Sequence, residues 1–139
     1  MELKMTIAEV TAFLEKVFPQ IGKDFEVISL SVDEVVVRMN VQTRHLRPGG
    51  TVSGPAMFAL ADVAYYIATL ALIGPEALTV TTNCSIDFMR KPAATNMIAK
   101  ARVLKLGRSL SVGDVLLYSE GQAAPVARAN LTYSIPQKC

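Results

Sequence analysis

The sequence predicts an α+β fold, a curled antiparallel sheet wrapped around one long central helix, with a short helix at the N-terminus. Three observations predict it. The run Pro55 to Ile73 is apolar around nearly its whole circumference, which marks a helix enclosed by protein. The segments on either side are rich in Val, Ile and Thr or alternate in polarity, as strands do. The order is helix, two strands, long helix, then three or four strands ending in a meander, so one helix has about five or six strands to cover it.

Each element has a local cause. Thr6-Ile7-Ala8-Glu9 is a capping box, followed by Ile7, Val10, Leu14, Val17 and Phe18 at helical spacing, and Pro19 closes the run. Phe25 to Val32 and Val35 to Val41 read as two strands joined by a tight turn around Ser31 to Glu34. A polar loop, Gln42 to Ser53, leads to Pro55, which suits the first helical position because its missing N–H is harmless there. Gly74-Pro75 stops the long helix. Leu78 to Met89 and Asn96 to Leu106 are the next strands. Gly107-Arg108 turns the chain into Leu110 to Tyr118, Glu120-Gly121-Gln122 turns it again, and Ala127 to Ile135 is the last strand.

At 139 residues the chain is expected to be one domain, 1–139, and 51% hydrophobic content provides a core. A net charge of +2, without a basic run, argues against a nucleic-acid partner. Cys84 and Cys139 are too few for a disulfide scaffold and read as reduced thiols, so the expected location is cytoplasmic. The N-terminus lacks a signal-peptide pattern. The Pro55–Ile73 helix is long enough to raise a membrane-spanning reading. Asp62 near its middle would cost roughly 2.5–3.5 kcal/mol on insertion scales, and the flanking strands favour a helix packed on a sheet with no membrane partner.

Asp62 is the most informative residue. It is the only charged side chain between Arg47 and Glu76. A carboxylate buried without a partner is costly, so a chain keeps one when it pairs it or uses it. Both readings stand on the residues alone: an Asp bonded to a neighbouring loop, or a catalytic base or nucleophile. The approach Arg47-Pro48-Gly49-Gly50-Thr51-Val52-Ser53-Gly54-Pro55 is glycine-rich and ends at a helix start, where free N–H groups and the helix dipole favour negative charge. Gly54 N–H, with Ala56 as a second donor, would face such a charge; the plainer reading is capping alone. Thr81, Thr82 and Asn83 form a polar cluster on an otherwise buried strand, where Thr is also common for propensity. His45 is the only histidine and lies in a loop, seventeen positions before Asp62. One His and two distant Cys make no metal site. Met57, Phe58, Tyr65 and Tyr66 would line an apolar tunnel or simply pack; Cys84 reads as core.

Four stretches together resemble hot-dog fold thioesterases of the PaaI-like acyl-CoA type. They are Ser53-Gly54-Pro55 with Ala59-Leu60-Ala61-Asp62, then Cys84-Ser85-Ile86-Asp87-Phe88-Met89-Arg90, then Ala101 to Arg108, and the closing strand through Tyr133. The resemblance spans roughly Phe25 to Ile135. In that family a His-Gly-Gly triplet opens the central helix, a carboxylate follows nine positions after the His, and an Asn commonly precedes the His by six. Here Asp62 matches the carboxylate and Gly54 the glycine whose N–H polarises the thioester carbonyl, while Ser53, Pro55 and Arg47 stand where His, Gly and Asn are usual.

The resemblance implies an acyl-CoA substrate, hydrolysis without metal or redox cofactor, and a homodimer or homotetramer with its site between subunits. It further implies that a strand hydroxyl from the other subunit, Thr81 first, helps place water or substrate. Ser53, Arg47 and Asn83 are candidate substrate contacts. Arg90, Lys91, Lys105, Arg108 and Arg128 are candidates for the CoA phosphates, with Arg108 foremost. Two other readings accompany this one: a hot-dog dehydratase or hydratase, which would need His45 beside Asp62, and a non-catalytic acyl-CoA or lipid binder.

Overall fold

The computed structural model describes residues 1–19 and 23–137, so Cys139 lies outside the described residues. The elements are α1 (Ile7–Val17), β1 (Phe25–Leu30), β2 (Val35–Met39), a 3-10 turn (Thr43–His45), α2 (Gly54–Ile73), β3 (Val80–Phe88), β4 (Met97–Leu106), β5 (Leu110–Ser119) and β6 (Ala127–Ser134). The strands form one antiparallel sheet in the order β1-β2-β4-β5-β6-β3. This is the predicted architecture, with β4, β5 and β6 as the meander.

The α1 capping box is formed: Glu9 N–H donates to Thr6 Oγ1 at 3.1 Å and Thr6 N–H to Glu9 Oε1 at 2.9 Å. Only Val10 and Leu14 of the expected apolar face are buried, while Ile7 and Phe18 stay well exposed. The first two strands are shorter than predicted. Ser31 and Glu34 close the turn through backbone and side-chain hydrogen bonds, which takes Ser31 and Val32 out of β1. At the far end of β2, Val41 N–H donates to Asn96 Oδ1 at 2.9 Å rather than to a strand neighbour. Leu78 belongs to the turn before β3, where Thr79 N–H donates to Glu76 O at 3.1 Å, and it is exposed.

Helix α2 starts one residue earlier than predicted. Ser53 is its N-cap, in extended conformation, so Gly54 takes the first helical position and Pro55 the second. The helix is long and apolar enough to cross a membrane, yet most of it is enclosed by the sheet. Leu60, Ile67 and Leu70 pack with Val37, Met39, Met97, Val115, Leu117 and Leu131. The sheet's inner face carries Ala99, Ala101, Ala127 and Ala129, all fully buried; their small side chains let the helix approach closely.

Close approach is most marked at Gly113 on β5. A Cβ there would lie 2.1 Å from Arg102 O and 2.5 Å from Tyr65 Cε1, so only glycine admits the Tyr65 ring. The Tyr65 hydroxyl bonds Ser111 Oγ at 2.8 Å, and Thr69 Oγ1 bonds the same oxygen at 3.0 Å. On the opposite face three ion pairs join directly opposed residues of neighbouring strands: Glu26–Arg38, Arg102–Asp114 and Asp87–Arg128.

Candidate active site

The loop before α2 is a small hairpin. Leu46 and Val52 form an isolated bridge, Arg47 N–H donates to Thr51 O at 2.9 Å, and Gly50 N–H donates to Arg47 O at 3.0 Å. Gly49 and Gly50 carry φ of 103° and 84°, a conformation that favours glycine and explains the pair. The hairpin delivers Ser53, whose Oγ accepts from Ala56 N–H at 3.2 Å while its carbonyl accepts from Met57 N–H at 3.0 Å. Pro55 has no N–H. Gly54 is therefore left as the free donor at the helix start, with no acceptor among the described residues. Two expectations are refined. Ala56 is not a second free donor, and Ser53, expected as a substrate contact, also caps the helix by accepting at its hydroxyl oxygen.

Asp62 lies eight residues further along, about 12 Å at helical rise. It is half-buried, and two hydroxyls converge on one of its oxygens. Thr81 Oγ1 donates to Asp62 Oδ1 at 2.6 Å, and Tyr133 OH lies 2.6 Å from Oδ1 and 2.8 Å from the Asp62 carbonyl. Thr81 and Tyr133 are directly opposed on β3 and β6, so both side chains reach the helix from one face of the sheet. The resemblance implied that the Thr81 hydroxyl helps place water or substrate in the other subunit's site. In the structure Thr81 meets Asp62 of its own chain.

Tyr133 received no role from the sequence. Its signal was a Tyr at an inward strand position, whose hydroxyl needs a partner when buried. Burial, and then the neighbouring Asp62 charge, push the Tyr133 phenol far above its ordinary range. Burial and the same charge raise the Cys84 thiol, which packs against the core two places beyond the Thr82 bulge.

These groups border a cavity of about 450 Å³, lined chiefly by apolar side chains: Phe18 from the end of α1, Val63 and Tyr66 from α2, Leu78 and Val80 around the start of β3. Asp62, Thr81 and Tyr133 form its polar wall.

The remaining candidates disperse. A bulge between Thr81 and Asn83 sets Asn83 opposite Thr132 and Cys84 opposite Leu131, so Asn83 turns to the outer face, away from Asp62. Arg47 is exposed on the hairpin. Arg90 donates to Pro125 O at 2.7 Å, and Arg128 pairs with Asp87. Lys105 and Arg108 are exposed. The Arg108 turn adjoins the strand ends at Ser134 and Val80, the same end of the sheet as Thr81 and Tyr133. His45 is placed by Gln42 N–H, which donates to Nδ1 at 2.9 Å, and by Asp24, 3.4 Å from Nε2; Arg44 pairs with the same Asp24. Both ring nitrogens are thus engaged away from Asp62 of the same chain.

Residues 49–126 match the model of the thioesterase superfamily. A crystal structure of a candidate thioesterase from a Silicibacter species is 59% identical, covering 99% of this chain and 96% of its own, with a TM-score of 0.92. A mutant form of the phenylacetic acid degradation protein PaaI from Thermus thermophilus is 30% identical, covering 85% of this chain and 99% of its own, with a TM-score of 0.72. Zebrafish thioesterase superfamily member 2, at 23% identity over 96% of this chain and 100% of its own, has a TM-score of 0.83 and shares the fold. Among curated proteins no match was found.

Proposed function

The chain belongs to the thioesterase superfamily as a PaaI-like member with the hot-dog fold, and from that premise we propose that it hydrolyses an acyl-CoA thioester to a carboxylic acid and free CoA. The observation that carries this reading is a partly buried carboxylate at the wall of an apolar cavity, with one of its oxygens lacking a partner among the described residues. The cavity suits an acyl group. Asp62 takes a proton from water as the water oxygen bonds to the carbonyl carbon. The C–S bond then breaks and the departing thiolate takes up a proton. The other route for the same group is direct attack to give an anhydride that water opens. Gly54 N–H, backed by the helix dipole, stabilises the charge that develops on the carbonyl oxygen.

One chain cannot do this alone. A reacting carbonyl must lie about 3 Å from both the donor and the attacking oxygen, whereas Gly54 and Asp62 are separated by about 12 Å along one helix. The Gly54 end of α2 adjoins Phe88 at the end of β3; Asp62 adjoins Thr81 at its start. β3 is a sheet edge, and Phe58, Leu78, Val80, Phe88 and Met89 expose apolar surface near it. Two copies related by a twofold axis would lay their β3 edges antiparallel, bringing the Gly54 end of one toward the Asp62 end of the other. The protein is therefore read as a dimer, or a tetramer built from dimers, with composite sites. The free thiol of Cys84 supports a cytoplasmic location.

Co-expression of two inactive variants tests this. Gly54→Pro removes the donor at a position where proline suits a helix, and Asp62→Asn removes the base. Each variant alone should be inactive on a panel of acyl-CoA thioesters. Hybrid dimers keep one intact site, so the mixture should recover about a quarter of wild-type activity. A hybrid without activity refutes the shared site, and acyl-CoA binding by wild type without turnover refutes hydrolysis.

A further inference from the structure

The Asp62 carboxylate is asymmetric. Oδ1 has two hydroxyl partners, at 2.6 Å each; Oδ2 has none among the described residues. The Tyr133 hydroxyl also lies 2.8 Å from the Asp62 carbonyl, so its single proton is shared between that carbonyl and the closer Oδ1. Its ring is held in turn: it stacks on Tyr66 with centroids 6.0 Å apart and tilts against Tyr65 at 5.6 Å. Tyr133 is almost fully buried. The raised phenol keeps its proton throughout the neutral range, so it acts only as a donor toward the carboxylate.

We propose that Tyr133 is a positioning residue for hydrolysis: with Thr81 it binds Asp62 Oδ1 and so presents Oδ2 to the water or the thioester. The two hydroxyls arrive from adjacent strands and lock the carboxylate's terminal torsion, which is otherwise broad. A carboxylate free to rotate would present either oxygen and would spend part of its time pointed away from the reacting carbon. The inference rests on Asp62 being the acting group.

Kinetics of Tyr133→Phe test it, because that change removes the hydroxyl and keeps the stacked ring. In the wild-type background kcat should fall roughly tenfold to a hundredfold with KM within about twofold, as expected for one lost hydrogen bond to a charged group. In the Asp62→Asn background the same change should alter the residual rate by less than about twofold, since the group being positioned is gone. Thr81→Val should lower kcat in the same way, and Thr81→Ser, which restores a hydroxyl, should recover it. Wild-type kcat in Tyr133→Phe, an effect confined to KM, or an equal loss in the Asp62→Asn background overturns the proposal. If Tyr133→Phe fails to fold, Thr81→Val and Thr81→Ser decide: a kcat unchanged by Thr81→Val overturns it. An Asp62→Asn protein with near-normal turnover would instead sink the reading of Asp62 itself.

Discussion

Helix α2 carries two polar clusters within two turns of each other, and they differ in nearly every physical respect. Tyr65 and Thr69 share Ser111 Oγ in a sealed layer between helix and sheet, where all three residues are fully buried. Every group is neutral, and burial pushes the Tyr65 phenol up to about 12, so the cluster holds no charge near neutral pH. The Asp62 cluster has the same ingredients, a tyrosine and a strand hydroxyl, arranged around a carboxylate at the wall of a cavity. It leaves one oxygen without a partner among the described residues. A closed network whose members satisfy one another fixes packing. One that leaves a charged acceptor facing a cavity has bonding capacity reserved for a ligand or for water.

Asp62→Asn should separate the clusters most sharply. Turnover should fall on the order of 10²–10⁴-fold, with the fold intact and thermal stability equal to or above wild type; steady-state kinetics and a melting curve on the same sample decide it. Gly113→Ala should do the reverse. Its Cβ meets backbone at Arg102 and the Tyr65 ring, and the loss of about 3 kcal/mol should appear in denaturant unfolding. Ser111→Ala strips Tyr65 and Thr69 of their shared partner, at a cost of about 1–3 kcal/mol, while kcat stays at the wild-type value. A kcat that fell with Ser111→Ala would mean that the sealed cluster is coupled to the open one through the Tyr65–Tyr133 contact. Arg108→Ala is expected to have the smallest effect. If its exposed side chain meets CoA phosphates, KM for acyl-CoA should rise about threefold at low salt and less at high salt. A truncated thioester lacking the nucleotide should be unaffected.

Much of this was legible in the chain. The enclosed helix followed from its unbroken apolar circumference, and Asp62 and Gly54 stood out because a charge and a glycine are conspicuous against it. Local signals sufficed there. What escaped depends on pairings distant in sequence. Tyr133 lies 71 residues from Asp62, and nothing near it in the chain marks its partner. The bulge that turns Asn83 to the outer face likewise has no sequence signature here. Ser53, which stands where the family usually has a histidine, also caps the helix, a role its residue type favours.

The missing side chain at Gly113 also sets position along the helix axis. The Tyr65 ring occupies the notch, much as a pin rests in a detent, and a shift of one helical turn, about 5.4 Å, would drive the ring against residues that have side chains. Apolar helices on apolar sheets otherwise have little to oppose sliding, since one greasy contact replaces another at small cost. Asp62 lies three residues from Tyr65 and inherits that fixed height, which brings its carboxylate level with Thr81 and Tyr133 rather than one strand pair above or below them. A single hydrogen atom in place of a methyl on β5 thus sets the alignment of a carboxylate on the neighbouring layer.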